Sequence, residues 1–170
     1  AVLDGKLYAV GGYGGGRLSS VERYDPATNA WEAVAPRMTT ARMAQAMAVL
    51  DGKLCAVGGQ DASNYRLSSV ERYDPAENVW EAVAPMATAR AAVGVVLDGK
   101  LYAVGGYGDD GRLSSVERYD PATNAWEVAV LDGKLYAVGG RGLDDDGWLS
   151  RWHRWRRRGR LTAWRCSTAS

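Results

Sequence analysis

The amino-acid sequence predicts an all-β protein made of tandem copies of one four-stranded repeat. Two sequence blocks recur along the chain, and both are rich in strand-forming and turn-forming residues. The block Leu-Asp-Gly-Lys-Leu-Tyr/Cys-Ala-Val-Gly-Gly begins, at spacings of 47, 47 and 34 residues, at Leu3, Leu50, Leu97 and Leu131. The block Ser-Ser-Val-Glu-Arg-Tyr-Asp-Pro-Ala begins at Ser19, Ser68 and Ser114. No segment shows ten residues of helical periodicity, so the repeat indicates β-structure.

The second repeat shows why its first two strands are expected. Met43–Leu50 is small and apolar, as a buried strand is. Asp51-Gly52 favours a tight hairpin turn, because glycine adopts positive φ without steric cost. Lys53–Val57 alternates along the next strand, and Gly58-Gly59 ends it where backbone passes too close for a Cβ atom. The variable segment Gln60–Arg66 is predicted to be a loop.

The second half of the same repeat supplies two more strands. Ser69–Tyr73 has the composition of the third strand. Asp74-Pro75 ends it, because proline donates no backbone hydrogen bond and fixes φ for a turn. Trp80–Val83 is the fourth strand, which Ala84-Pro85 closes. Each complete repeat is therefore expected to form one antiparallel sheet of four short strands.

This pattern resembles the kelch repeat. The resemblance rests on Gly-Gly after a short apolar strand, then Tyr-Asp-Pro, Asn-x-Trp, and Ala-Pro-Met followed by an arginine, and it covers residues 1–147. It implies a β-propeller, in which each repeat is one four-stranded blade and about four to eight blades close the ring. We expect a partial, open propeller of about three blades plus a damaged fourth, with units near 1–36, 37–85, 86–127 and 128–147.

The fourth repeat is shortened at its start. Three residues separate Glu127 from Leu131 of the next Leu-Asp-Gly-Lys block, against fifteen between Glu81 and Leu97 one repeat earlier. Three residues span roughly 10 Å, whereas the passage from an outer strand to the next inner strand covers about 14 Å. We therefore expect one long strand, Trp126–Leu131, that forms a hairpin with Lys134–Val138 through Asp132-Gly133.

Residues 148–170 have a different composition from the repeats. They contain seven Arg, four of the seven Trp and no acidic residue, whereas residues 1–147 carry a net charge of −6. The abrupt end of the repeat favours an out-of-frame translation of a fourth repeat. A disordered linker is one alternative, and a basic segment that binds an anionic membrane or a nucleic acid is another.

The composition argues against several classes of protein. Two cysteines are too few for a disulfide framework and fit a reducing, cytoplasmic environment. No apolar run is long enough to span a membrane as a helix, and the acidic repeats do not suit nucleic acid. The one histidine, His153, leaves no histidine-based triad or metal cluster, so we expect no metal site and no cofactor. The chain starts without Met, and we expect it to be a segment of a longer protein, or a processed or wrongly delimited product.

Several recurring residues are expected to be structural. A Glu-Arg dipeptide recurs in each repeat and is interpreted as a structural ion pair: Glu22 and Arg23, Glu71 and Arg72, Glu117 and Arg118. Aromatic residues that recur are expected to pack between adjacent blades: Tyr24, Tyr73, Tyr119, Trp31, Trp80 and Trp126. Cys55 stands where the other repeats have Tyr and is expected to be a partly buried, inert thiol.

The loops that follow Gly-Gly are the predicted site of function, because loops on a rigid scaffold vary without disturbing the core. In kelch propellers of the ubiquitin-ligase adaptor type, the ligand-binding residues resemble three recurring positions of this chain. The resemblance implies a ligand-binding set of Tyr13, Gln60, Tyr107, Arg17, Arg66, Arg112, Arg42 and Arg90. A structural alternative is that the recurring arginines bond the carbonyl groups at strand ends.

These observations predict a protein–protein interaction module with no catalytic residue. It would present Tyr and Arg loops to a protein or an acidic peptide, including substrate recognition for a ubiquitin-ligase complex. Two alternatives are a fragment of a kelch-fold enzyme of the galactose-oxidase or lyase type, and a non-functional remnant of a repeat gene. Because repeats bury their faces only against neighbours, the open blade ends are expected to make the isolated chain marginally stable or self-associating.

Overall fold

The computed structural model of the chain is all-β, as the sequence predicts, and no helix occurs among the residues it describes. It describes residues 1–34, 36–129, 151–157 and 160–167. The chain divides into two units, Ala1–Ala129 and Val130–Ser170. In the described residues no helix is long and apolar enough to cross a membrane.

The first unit contains three antiparallel sheets, one for each of the first three repeats, and we call each sheet a blade. The first blade is formed by β1 (Val2–Leu3), β2 (Lys6–Tyr13), β3 (Arg17–Asp25) and β4 (Ala30–Val34). The second blade is formed by β5 (Ala46–Leu50), β6 (Lys53–Val57), β7 (Val70–Asp74) and β8 (Val79–Val83). The third blade is formed by β9 (Ala91–Leu97), β10 (Lys100–Gly108), β12 (Val116–Asp120) and β13 (Ala125–Val128), with the short β11 (Gly111–Arg112) paired to β10. The four-stranded repeat is therefore confirmed.

The register of each blade places its large apolar residues on one face. In the second blade Leu54 is opposite Tyr73, which is opposite Trp80. Because side chains alternate across a strand, these three residues share a face with Ala56 and Glu71. The Tyr and Trp rings of one blade are 5.4 Å apart, centroid to centroid, in all three blades.

The hydrophobic cores lie between blades. Leu54, Tyr73 and Trp80 pack against Leu3 and Tyr8 of the first blade. The third blade repeats this contact, since Leu101, Tyr119 and Trp126 pack against Leu50, Cys55 and Val57 of the second blade. The face that carries Tyr and Trp is thus directed at the preceding blade, and the predicted packing of these aromatic residues between blades is confirmed there.

The first blade shows what happens to this face without a neighbour. Trp31 is 51% exposed, whereas its equivalent Trp80 is 8% exposed. Leu7 is also exposed, although its equivalents Leu54 and Leu101 are fully buried. The exposed aromatic face of the first blade is equivalent to the faces of the second and third blades that form the cores at the two junctions between blades.

In the first two blades the glycine pair, which lies within β2 and directly after β6, lets the next linker approach. Gly12 donates its backbone N–H to the Arg42 carbonyl oxygen at 2.8 Å, and Gly59 donates to the Arg90 carbonyl oxygen at 2.9 Å. A Cβ atom on Gly58 would overlap the Arg90 carbonyl oxygen. The close backbone approach that the sequence predicts at these glycines is confirmed.

A buried ion pair joins each linker to the blade that follows it. The Arg42 side chain is fully buried, and its Nη2 donates to Glu71 Oε1 at 2.6 Å. Its Nη1 also donates to the carbonyl oxygens of Gly58 at 2.8 Å and Ser69 at 3.1 Å. Burial lowers the pKa of the Arg42 guanidinium, and the charge of Glu71 opposes that change.

The carboxylate of this pair is equally well satisfied. The backbone N–H of Thr39 donates to Glu71 Oε2 at 2.6 Å, and that of Thr40 donates to Oε1 at 3.1 Å. The pair Arg90 and Glu117 repeats the arrangement at the next junction, also at 2.6 Å. A buried ion pair is tolerated only when its remaining donors and acceptors are paired, as they are here.

Structural ion pairs are therefore present, but with partners other than the sequence neighbours. Adjacent residues of a strand face opposite sides of the sheet, so Glu71 and Arg72 cannot pair with each other. Arg72 instead bonds Glu81 across the sheet at 2.6 Å, and the same cross-strand pair joins Arg23 to Glu32 and Arg118 to Glu127. Glu22 is the equivalent of Glu71 in the first repeat, and it is exposed. The position that would pair with it, equivalent to Arg42, would precede residue 1.

Cys55 is more deeply buried than the sequence suggests, with 1% of its surface exposed. Burial raises the pKa of its thiol to about 11. The thiol is thus neutral at physiological pH, which fits the inert role predicted for it.

The predicted hairpin of the fourth repeat is only partly covered by the described residues. β13 pairs with β12 as the outer strand of the third blade. Leu131 and Lys134–Val138 lie outside the described residues, so that hairpin stays a prediction. In the second unit, β14 (Arg151–Arg157) and β15 (Arg160–Ser167) form an antiparallel hairpin, which the sequence did not predict.

Replacing Glu71 by Gln is expected to lower the free energy of unfolding by about 3 kcal/mol, because Arg42 would then be a buried charge without a counter-charge. Urea unfolding followed by tryptophan fluorescence measures the loss. Glu22→Gln is the matched control, since Glu22 has the same place in its repeat but an exposed side chain, and it should change stability by less than about 0.5 kcal/mol. An equal decrease in the free energy of unfolding for both variants would contradict the role of Glu71 as the counter-charge of Arg42.

Gly58→Ala is expected to destabilise the chain by about 3 kcal/mol, through left-handed backbone strain and overlap with the Arg90 carbonyl. Gly52→Ala supplies the comparison, because Gly52 also has positive φ but its Cβ would meet nothing within 4 Å. Only the strain of about 1 kcal/mol is expected at Gly52. Urea midpoints that shift equally in both variants would show that the close approach is unimportant.

The raised pKa of Cys55 predicts a pH dependence of stability. The unfolded thiol ionises near its ordinary value, whereas the folded thiol stays protonated until about pH 11, so stability falls as the pH rises between these values. Over this pH range the free energy of unfolding of Cys55→Ala should fall by about 2 kcal/mol less than that of the parent chain. Urea unfolding at pH 8.5 and pH 10.5 tests this, and identical pH dependence in both proteins would rule it out.

Candidate functional site

The long loops of the three blades leave the same ends of their strands. In the second blade the strand-end residues Ala46, Val57, Val70 and Val83 lie in register across the sheet. The loop after Gly-Gly and both inter-blade linkers therefore leave at this end, while the tight turns lie at the other. We call the surface formed by loops 13–17, 60–66 and 107–112 the loop surface.

The first and second loops of this surface are joined by side-chain hydrogen bonds. Arg17 Nη2 donates to Gln60 Oε1 at 3.3 Å and also to the side-chain oxygen of Asn64. Gln60 Nε2 in turn donates to the Asn64 carbonyl oxygen at 3.0 Å. Two predicted residues, Arg17 and Gln60, are thereby brought into contact across a blade junction.

The second and third loops are joined in a similar way. The backbone N–H of Arg66 donates to Asp109 Oδ1 at 3.2 Å, and Arg66 Nη1 donates to the Asn64 carbonyl oxygen at 3.2 Å. The loops of three successive blades consequently form one connected surface.

Exposed tyrosines lie beside arginines in the first and third loops. Tyr13 is 65% exposed, and the guanidinium of Arg17 lies 5.7 Å from its ring centroid. The guanidinium of Arg112 lies 5.9 Å from the Tyr107 ring, and its Nε donates to the Tyr107 hydroxyl at 3.1 Å. A guanidinium at this distance from an aromatic ring is attracted by the negative face of the ring.

Arg42 and Arg90 lie beneath the loop surface and not on it. Both side chains are fully buried in the blade junctions, and Arg90 Nη1 donates to the carbonyl oxygens of Gly105 at 2.9 Å and Ser115 at 3.0 Å. These contacts match the structural alternative that the sequence left open for the recurring arginines. The six remaining predicted residues are at the loop surface.

Sequence reasoning missed three residues of this surface. Asn64 bridges Arg17, Gln60 and Arg66, and Tyr65 beside it is as exposed as Tyr13. Asp109 anchors the second loop to the third. The available signal was the greater length of the second loop, which lets Asn64, at a φ of 68°, turn back towards the first blade.

The loop surface combines cationic donors with flat apolar area. Its arginines supply the first and its tyrosines the second, and both residue types are enriched at the hot spots of protein interfaces. Of the acidic residues nearby, Asp61 already accepts backbone N–H bonds from Ser63 and Tyr65. Within the described part of the chain, no group of three or more His, Cys, Asp or Glu could hold a metal ion.

Comparison with known proteins places the repeats in a family. The family described as the kelch motif matches residues 1–38, 41–87 and 89–129. Human Kelch-like protein 35 is 52% identical over 60 residues, which cover 35% of this chain and 10% of that protein. The mouse influenza virus NS1A-binding protein homolog is 48% identical over 62 residues, which cover 36% of this chain and 10% of that protein. The chain thus matches about a tenth of the length of these relatives.

A solved structure titled "Structure of YjhT" has a similar fold. It superposes with a TM-score of 0.68 at 19% sequence identity, and the match covers 79% of this chain and 52% of that one. The three blades described above are arranged as in a β-propeller that has not closed. Since the kelch motif matches most of the chain, in three copies that coincide with the three sheets, the chain belongs to the kelch-repeat family.

Proposed function

We propose that the chain is a protein-binding module whose loop surface takes an acidic peptide or an acidic segment of a partner protein. The observation that carries this proposal is the connected surface itself. Three successive blades present an arginine at equivalent positions, and hydrogen bonds between blades hold their loops together. The proposed contacts are Tyr13, Arg17, Gln60, Arg66, Tyr107 and Arg112.

The arginines favour carboxylate groups as the partner's main feature. A guanidinium matches a carboxylate with two parallel hydrogen bonds, which adds both affinity and orientation. The Nε atoms of Arg17 and Arg66 have no acceptor among the described residues. A side-chain rotation would offer these donors to a carboxylate of the partner.

Two acidic residues of the loops are held by backbone groups. Asp61 and Asp109 accept backbone N–H groups, which direct these carboxylates at the loop backbone. Tyr13 and Tyr107 add apolar area beside Arg17 and Arg112, and Tyr rings lose little conformational entropy on binding. An extended acidic segment with apolar residues between its carboxylates fits this alternation.

The relatives support a role in protein binding. One of them is described as the homolog of an influenza virus NS1A-binding protein. The resemblance of the repeats to kelch-like adaptors supports a finer proposal, that in the whole protein this surface selects substrates for a ubiquitin-ligase complex.

We propose binding in preference to catalysis because of how the polar residues recur. A catalytic centre needs different groups around one reacting atom. The loop surface instead repeats an Arg in every blade and a Tyr in the first and third, which suits several equivalent contacts along an extended partner.

Replacing Arg66 and Arg112 by Ala is expected to weaken the binding of a labelled peptide in which Glu alternates with apolar residues by at least tenfold for each substitution. A hydrogen bond to a charged group contributes about 1.5–3 kcal/mol, and about 1.4 kcal/mol is a factor of ten in affinity. Fluorescence anisotropy measures the dissociation constant, and the same peptide with Gln in place of Glu should bind weakly to every protein.

Arg72→Ala and Arg118→Ala are the matched controls, because these arginines form cross-strand pairs away from the loops. Such exposed pairs contribute less than about 1 kcal/mol to stability, so both variants should fold and bind the peptide as the parent does. The loop surface would be ruled out as the binding site if the Arg66 and Arg112 variants bound the peptide with unchanged affinity. It would also be ruled out if the two control variants lost as much affinity as they do.

A further inference from the structure

The hairpin of the second unit is rich in arginine and tryptophan. Its two strands, β14 and β15, together contain six arginines, three tryptophans and no acidic residue. Residues 1–147, in contrast, carry a net charge of −6. The positive charge of the chain is therefore concentrated in a folded element that the loop surface, which lies in the first unit, does not use.

The pairing of the two strands brings cationic and aromatic residues together. Arg154 is directly opposite Trp164, and His153 is directly opposite Arg165. Residues that are opposite each other on antiparallel strands have Cβ atoms about 5 Å apart and share a face of the sheet. The hairpin thus combines arginine and tryptophan on one face at the distance of neighbouring residues.

Neither face of β14 is apolar. Alternate residues of a strand lie on opposite faces, so two arginines fall on each face of this strand. The faces are Arg151, His153, Trp155 and Arg157 on one side, and Trp152, Arg154 and Arg156 on the other. A segment that binds at a membrane interface buries one apolar face among the lipids. The register therefore does not favour a membrane as the partner.

The charge density of the hairpin matches that of one nucleic-acid strand. β14 has 7 residues, which span about 23 Å at about 3.3 Å per residue. The six arginines of the hairpin therefore occur about once in every 4 Å of its length. A single strand carries a phosphate every 3.4 Å or so, whereas a duplex carries a charge about every 1.7 Å.

The tryptophans favour a single strand over a duplex for a separate reason. Proteins that bind single strands combine cationic groups along the phosphates with aromatic rings on which the bases stack. Bases in a single strand are free to stack on a side chain, whereas those in a duplex are stacked on each other. An acidic polypeptide would neutralise the arginines but would offer no base to the tryptophans.

We propose that the hairpin formed by β14 and β15 binds single-stranded nucleic acid, with its arginines on the phosphates and its tryptophans stacked on the bases. These contacts read neither the identity of the base nor the sugar, so the ligand class includes both DNA and RNA. The chemistry belongs to the residues themselves and is independent of the reading frame from which the segment arose.

The test is titration of fluorescein-labelled oligo(dT), about ten nucleotides long, with the full chain, followed by fluorescence anisotropy. A dissociation constant of about 10 µM or lower is expected at about 50 mM salt. The logarithm of the association constant should fall against the logarithm of the salt concentration with a slope of about −4, since each phosphate contact on a single strand contributes about −0.7.

Other probes of the same length separate the expected contacts without altering the protein. An abasic strand keeps the phosphates but has no bases, and it should bind at least about fivefold more weakly because stacking is lost. A DNA duplex and polyglutamate should each bind at least about fivefold more weakly for the same reason. Oligo(U) distinguishes the two sources of ligand, because the tighter of oligo(U) and oligo(dT) identifies the natural one.

Substitutions in the hairpin test each type of contact. Trp164→Leu should weaken the binding of oligo(dT) at least about fivefold and leave that of the abasic strand unchanged, whereas Trp164→Phe keeps a ring and should retain most of the affinity. Arg154→Gln combined with Arg156→Gln should make the salt slope shallower by about 1.4. Trp31→Leu and Arg72→Gln are matched controls, because Trp31 is 51% exposed and Arg72 forms a cross-strand pair in the first unit, and both should bind as the parent does.

Four results would overturn the proposal. The first is the absence of binding to oligo(dT) at about 100 µM chain, the weak limit of non-specific binding. The second is an abasic strand that binds as tightly as oligo(dT). The third is equal or tighter binding of the duplex, of polyglutamate or of vesicles of phosphatidylserine and phosphatidylcholine. The fourth is an equal effect of Trp164→Leu and Trp31→Leu.

Discussion

The buried arginine at each blade junction is the interaction on which the rest of the structure depends. Arg42 joins three elements at once, because its linker backbone bonds the preceding blade while its side chain bonds the glycine turn and Glu71 of the following blade. Removing two charges from water is costly, and the cost is offset only when every donor and acceptor finds a partner. The linker therefore has one position, and the angle between neighbouring blades follows from it.

The loop surface is a consequence of this rigid junction. The long loops of the first two blades start at a glycine pair that a linker holds, so these loops emerge at a fixed spacing. That spacing lets Arg17 reach Gln60 and lets the backbone of Arg66 reach Asp109. The residues proposed to bind on this surface are ordered before a partner arrives, which lowers the entropic cost of association.

Local features of the sequence were enough to predict the strands, the turns and the aromatic faces, because period-two alternation and turn residues act over a few positions. Partners that lie far apart in sequence were harder to predict. The neighbours Glu71 and Arg72 suggested a pair, yet the pleat directs them to opposite faces. Arg42 was expected at a binding surface because nothing in a single sequence shows that an arginine is buried. Asn64 was missed because the path of a longer loop depends on contacts with the neighbouring blade.

The backbone contacts of the glycine pairs also set the order in which the blades can be completed during synthesis. The glycine pairs of the first two blades are bound by the linker that follows each blade, so a blade leaves the ribosome before the segment that completes it. The first blade ends at Val34 and its glycine pair is bound by Arg42, so eight further residues must emerge before that contact can form. Pauses in translation between repeats would accordingly prolong the exposure of the most recently made sheet, whereas the earlier sheets would already be bound by their linkers.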